Sequence, residues 1–171
     1  MQHCTASFEH SAVRPVPIKV ITVSSKSKSA GQACASEWSA KLSRYTAVES
    51  INVKNNPLNA KDTAVAVKNE GSRVLKHITP TTDHVVCLDE RGRDVTSMDM
   101  ARLLADASSN GVKNLVFLIG GPFGHSQEVR QSSQDTIRLS RCVLNHSVAH
   151  IVLMEQLYRA WTILKKEPYH H

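Results

Sequence analysis

Nothing in this chain is apolar for the roughly 20 consecutive residues that a helix needs to cross a bilayer. Its longest apolar runs, such as Leu115 to Ile119 and Ile151 to Met154, are far shorter, so no transmembrane helix fits and no membrane partner is expected. Paired cysteines are missing as well. Cys4, Cys34, Cys87 and Cys142 stand apart, with no Cys-x-x-Cys unit and no Cys/His spacing suited to tetrahedral zinc. That argues for a reducing compartment and against a disulfide framework, and Cys87, inside an apolar run, reads as a small core residue. Among nine histidines only His146 and His150 are four apart, and no carboxylate completes a ligand triad beside them, so no metal is expected. The chain also lacks Gly-x-Gly-x-x-Gly and Gly-x-x-x-x-Gly-Lys, the glycine patterns that cradle dinucleotide and nucleotide phosphates. A cofactor gripped by its phosphates is thereby disfavoured, and one with an adenosine but no phosphate suits better.

What is present describes one soluble globular domain: 171 residues, 18.9 kDa, 41% hydrophobic and 21% charged. The formal charge of +6 and a pI near 9.3 favour a polyanionic partner such as nucleic acid. Residues 1–83 hold eleven Lys and Arg against six Asp and Glu, whereas 84–171 hold ten against nine, so a steering field for nucleic acid would come mostly from the first half. Residues 1–17 are polar, close on Pro15 and Pro17, and lack the apolar run of a secretory signal. They read as an extension, disordered or the remnant of an organellar targeting segment, ahead of a single domain over 18–171.

Periodicity predicts alternating strands and helices. Strands are expected over 18–23, 48–53, 84–88, 114–119 and 136–139, with Asp89, Glu90, Arg91 and Gly92 as the turn leaving the third. Helices are expected over 30–47, where Ala35, Trp38, Leu42 and Tyr45 share a face, and over 60–78, 96–110, 125–133 and 147–166. Thr96 followed by Asp99 resembles a capping box, and Gly111 is a natural terminator for the helix it opens. Such alternation argues for an α/β layer sandwich with a largely parallel sheet. The last helix is apolar almost all round, with Val148, Ile151, Val152, Leu157, Trp161 and Leu164 on different sides, and therefore needs two partners. One is the sheet; the other is a second subunit in a two-fold pair, or else further elements of the same domain.

In a parallel sheet, ligands bind beyond the carboxyl ends of strands. Three loops lie there: 88–92, 120–124 and 139–145. Gly120 and Gly121 remove two Cβ atoms where the most apolar strand ends, which lets a ligand lie against backbone, and Pro122 stiffens the turn. Gly-Gly-Pro is equally compatible with a plain strand-to-helix turn. The tail, from Glu167 through Tyr169, His170 and His171, is either a disordered end or a mobile carrier of an aromatic ring and two imidazoles.

Four segments taken together alter that balance: Leu88-Asp-Glu-Arg-Gly92, Ile119-Gly-Gly-Pro122, Glu155-Gln-Leu-Tyr-Arg-Ala-Trp161 and Pro168-Tyr-His170. In that order and with those gaps, the sequence from about Ile18 to its last residue resembles the SPOUT-superfamily methyltransferases that modify N3 of pseudouridine in large-subunit ribosomal RNA. The resemblance implies an α/β fold whose C-terminal part is tied in a trefoil knot, against the general rule that chains do not thread loops. It further implies bound S-adenosyl-L-methionine, a homodimer, and ribosomal RNA or the assembled ribosome as partner. By position, Leu88, Gly120, Gly121, Leu139, Ser140, Arg141, Cys142, Val143 and Leu144 are then expected to line the cofactor pocket. His170 is expected to accept a proton, Tyr169 to stack on or orient the base, and Arg159 to pair with phosphate or hold the tail.

The sequence departs from the family pattern at Ser147, where a proline is common, and at His150 and His171, where a basic residue is usual. Two cationic contacts are weakened, which leaves two readings: an active methyltransferase, or an RNA-binding protein of the same fold without turnover. Retention of the Gly120-Gly121 loop and the Tyr169-His170 pair favours the enzyme.

Overall fold

The computed structural model describes residues 13–25 and 30–169, so the expectations placed on residues 1–12, His170 and His171 lie outside the described residues. Among the described residues five strands and five helices alternate: β1 (Ile18–Ser24), α1 (Ala30–Leu42), β2 (Val48–Lys54), α2 (Thr63–Leu75), β3 (Asp83–Asp94), α3 (Ser97–Ser109), β4 (Asn114–Ile119), α4 (Gln127–Gln131), β5 (Asp135–Arg138) and α5 (His146–Lys165). The sheet runs β2-β1-β4-β3-β5 and every pairing is parallel.

Strand order and crossover hand together decide which helix covers which face. Steps toward the β2 edge pass through α1 and α3, whose Leu42 and Met100 to Ala107 join one core cluster with Val20, Phe117 and Ile137. Steps toward the β5 edge pass through α2 and α4, whose Val74 and Val129 join a second cluster with Ile21, Val85 and Leu118. Opposite directions of travel must use opposite faces if all crossovers are right-handed. β1, β3 and β4 each supply both clusters by alternation, whereas β5 gives only Ile137, to the first. β4 lies centrally and is buried along its whole length, the reason its sequence is unbroken in apolar residues after Asn114.

Several boundaries differ from the periodicity, each for a local reason. α1 stops at Leu42 rather than 47 because Tyr45 N–H turns back to Leu42 C=O at 2.9 Å. Asp62 caps α2 by accepting from Ala64 N–H at 2.7 Å, so the helix begins at Thr63 and not at 60. α3 opens with the expected capping box, Thr96 accepting from Asp99 N–H while the Asp99 carboxylate accepts from Thr96 N–H. The largest difference is in β3. Residues 89–92, expected to leave the sheet as a turn, stay within a longer strand: after an irregular step, Arg93 and Asp94 pair again with Ile137 and Arg138 of β5. Ile137 is thus registered with both Leu88 and Arg93, and Gly92 lies directly against its backbone.

Residues 13–17, just ahead of β1, are docked rather than trailing. Val16 is buried, its carbonyl accepts from Thr46 Oγ1 at 2.7 Å, and Pro17 C=O accepts from Leu115 N–H at 2.9 Å. α5 crosses the face carrying α1 and α3 and buries Leu153, Met154, Leu157, Ala160 and Trp161 there. Its remaining apolar residues are left partly open, with Ile151 and Val152 half-buried and Val148 exposed.

Candidate active site

β3, β4 and β5 deliver their carboxyl-terminal segments to one corner of the sheet, where a cavity of about 610 Å³ opens. Its lining comes from Leu88 to Arg91, from Ile119 to Gly124 with Arg130 behind it, and from the β5–α5 connection between Ile137 and His146. Leu88, Ile119, Ile137, Leu139 and Leu144 make apolar walls, and polar or charged side chains from Asp89, Glu90, Arg91, Arg130, Arg138, Ser140, Asn145 and His146 share the lining, a mixture that suits a small organic molecule. The Gly120 to Gly124 loop folds back on itself: Gly121 C=O accepts from Gly124 N–H at 3.0 Å, and a Cβ on Gly120 would lie 3.0 Å from the Gly124 carbonyl carbon. Glycine is needed at 120 because the loop's return leg occupies that space.

Two ion pairs stand beside the cavity. Arg130 Nε donates to Asp89 Oδ2 at 3.1 Å, with the Asp89 side chain only 9% exposed. Arg138 grips Asp94 with two bonds, at 2.6 and 2.9 Å, and this pairing holds the Asp94 carboxyl below the ordinary range and raises Arg138. Behind the loop, His125 is 6% exposed and its Nε2 has no hydrogen-bond partner among the described residues; burial lowers its pKa, so the ring is neutral at pH 7. Burial also pushes the Cys87 thiol up to about 12, which keeps it protonated and unreactive, as suits a core residue.

Of the residues expected to hold a cofactor, Leu88, Gly120, Gly121, Leu139, Ser140, Cys142, Val143 and Leu144 all border the cavity. Arg141 does not; its guanidinium turns outward to Asp94 at 3.4 Å and is 84% exposed. Arg159 and Tyr169 are brought together, but elsewhere. Glu155 Oε1 accepts from Arg159 at 2.8 Å and from the Tyr169 hydroxyl at 3.2 Å, while the guanidinium sits 4.6 Å over the Tyr169 ring. Tyr158 meets Tyr169 edge-on at 5.1 Å, and Trp38 of α1 lies 6.4 Å from the same ring, so the tail packs across α1 and α5. Burial and the Glu155 carboxylate raise the Tyr169 hydroxyl above its ordinary pKa, so it remains a donor. Arg159 lies ten residues beyond Ala149, the last of α5 at the cavity, a separation of about 15 Å along the helix.

The Glu155 partnership is written in the sequence as the i, i+4 spacing of opposite charges on a helix. The Asp89–Arg130 pair, and the walls from Ile119, Ile137 and His146, carry no comparable local signal, because they meet only when strands distant in sequence become neighbours.

Residues 16–170 match a family model described as "Predicted SPOUT methyltransferase". The chain belongs to the SPOUT methyltransferase family. Its relatives include a candidate RNA methyltransferase of Arabidopsis thaliana, 47% identical over 98% of this chain and 86% of that protein. Two bacterial proteins named ribosomal RNA large subunit methyltransferase H are also similar. The one from Geotalea daltonii is 39% identical over 79% of this chain and 86% of its own length. The one from Flavobacterium psychrophilum is 36% identical over 90% and 98%. A SPOUT methyltransferase requires a methyl donor, and the cavity at the β3–β4–β5 corner has the volume, the apolar walls and the glycine loop that suit an organic donor.

Proposed function

We propose that this chain is an S-adenosyl-L-methionine-dependent methyltransferase that modifies N3 of a pseudouridine in large-subunit ribosomal RNA. The observation that carries the reading is the cavity at the carboxyl ends of β3, β4 and β5, which combines apolar walls with the Gly120 to Gly124 loop. The names of the bacterial relatives support the substrate class.

In this reading Leu88, Ile137, Leu139 and Leu144 enclose the adenine and ribose, while backbone at Gly120 and along Ser140 to Leu144 supplies the hydrogen bonds. When bound, S-adenosylmethionine supplies a methyl group already activated by its sulfonium. The protein has then to align the attacking nitrogen and to remove its proton. His170 accepts the N3 proton on a ring nitrogen. Tyr169 orients the base, and Arg159, held by Glu155, pairs with RNA phosphate or fixes the tail. The trefoil knot belongs to the same proposal; the two limbs of β3 that both pair with Ile137 support it.

The working unit is proposed to be a homodimer built on α5. Val148 is exposed, and Ile151 and Val152 are half-buried along a helix whose other side is packed, while Phe123 and Val143 stand 61% and 80% exposed beside the cavity. Two α5 helices paired antiparallel bring the Arg159–Tyr169 end of one copy beside the cavity of the other, closing the gap of about 15 Å that separates them within one chain.

Transfer of labelled methyl from S-adenosylmethionine to isolated ribosomal subunits, whole ribosomes and free RNA tests the assignment. Incorporation at a pseudouridine is the expected result; cofactor binding with transfer to none of them would leave an RNA-binding protein without turnover. Replacing His170 by Ala is expected to lower turnover more than cofactor affinity, and unchanged turnover removes it from the mechanism.

A further inference from the structure

α2 supplies nothing to the cavity lining, yet two adjacent residues of it lie against Gly121 in the glycine loop and against Ser126 just after it. Glu70 is 4% exposed; its Oε1 accepts from Asn56 N–H at 2.7 Å, in the turn between β2 and α2. Its other oxygen, Oε2, is buried without a hydrogen-bond partner among the described residues and faces Gly121, where an added Cβ would stand 3.1 Å away. Next to it, Gly71 lies so close to Ser126, the cap of α4, that a Cβ at 71 would fall 2.3 Å from Ser126 Oγ. The 121–126 segment therefore rests on α2 at its first and last residues.

A buried carboxylate with one oxygen unpaired is a poor choice for stability alone, since an apolar side chain there would avoid the desolvation penalty. The turn that Glu70 grips is itself rigid. Asn56 exchanges side-chain hydrogen bonds with Ala60 in both directions, at 2.8 and 3.1 Å. Glu70 is thus a strut between a fixed turn and the back of the cofactor loop.

We propose that Glu70 is a positioning residue for the methyl-donor site: by bridging Asn56 to Gly121 it holds the Gly120 to Gly124 loop in the fold that receives the donor. This rests on the assignment of that cavity to S-adenosylmethionine. The bridge works through shape and the Asn56 hydrogen bond, both of which an amide preserves, and not through charge.

Two readouts on the full-length protein decide it. In ligand-free protein, hydrogen exchange at the Gly124 amide, which bonds to Gly121 C=O, is expected to speed about tenfold in Glu70→Ala, the scale of one lost anchoring hydrogen bond. Affinities for S-adenosylmethionine and for neutral S-adenosylhomocysteine are expected to weaken together by about the same factor, and Glu70→Gln to restore both readouts to within about twofold. Val74→Ala, one turn further along the same buried face, controls for helix destabilisation and is expected to leave both readouts unchanged. The proposal is overturned if Val74→Ala behaves like Glu70→Ala, if Glu70→Gln fails to rescue, if only the cationic ligand is weakened, or if the Gly124 amide is unaffected. A wild-type protein that binds neither ligand would instead refute the donor assignment, with hydrogen exchange still deciding the role of Glu70.

Discussion

Gly92 offers the sharpest quantitative test of how β5 is held. A Cβ built there would lie 2.4 Å from the carbonyl carbon of Ile137 and 2.7 Å from its Cα and nitrogen, so Gly92→Ala collides with backbone that has no rotamer to give. Relief to an ordinary contact requires β5 to move by about 1 Å, enough to stretch an N–H···O bond out of range. β5 has β3 as its one strand neighbour, and the pairings nearest the collision are Leu88 with Ile137, Arg93 with Ile137 and Asp94 with Arg138. Losing two or three ladder bonds at about 1 kcal/mol each gives about 3 kcal/mol, within the range known for overpacked cores. At roughly 2–4 °C per kcal/mol for a chain of this length, the melting midpoint should fall by about 6–12 °C. Urea unfolding followed by circular dichroism measures the free energy, and calorimetry the midpoint. Gly111→Ala provides the contrast: φ is +64° with nothing within 4 Å, so only the left-handed backbone penalty of about 1 kcal/mol applies. A Gly92→Ala protein within about 0.5 kcal/mol of wild type would refute the reasoning, because it would mean that the β3–β5 contact is loose.

Two further outcomes follow from the site's electrostatics. Burial lowers the pKa of His125 and His150 below the 6.5 of an unfolded histidine, so under acidic conditions the unfolded chain binds more protons than the folded one. Stability should therefore fall as pH drops below about 6.5, and His125→Asn should flatten the dependence of the urea midpoint between about pH 7.5 and 5.5; a slope that the substitution leaves untouched would count against a buried neutral ring. Among the thiols, exposed Cys142 at the cavity should be alkylated by iodoacetamide in the native protein and shielded by S-adenosylmethionine, whereas Cys87, its thiol pushed up to about 12, should react only on unfolding. Mass spectrometry of peptides distinguishes them, and equal rates at Cys87 and Cys142 would contradict the burial argument.

The order of elements and the class of fold were legible in the sequence because they depend on local regularities. The period of apolar residues, the Thr96–Asp99 cap and the unbroken apolar stretch of β4 are each properties of neighbours in the chain. The loops at the carboxyl ends of strands were legible for the same reason, and with them most of the cavity wall. Where the sequence misled, a long-range contact overrode a local preference. Residues 89–92 carry turn chemistry, yet β5 lies against them and keeps Arg93 and Asp94 in the sheet. α5 is apolar nearly all round, but only the placement of α1 and α3 decided which side is packed and which is left partly open. The same holds for function. The residue types of the site and the family resemblance are properties of the sequence alone. That Tyr169 packs on Arg159, about 15 Å along α5 from the cavity, and that Glu70 of α2 stands behind Gly121, is decided by tertiary packing. Distances between segments far apart in the chain are set by the whole sheet order, and no local pattern encodes them.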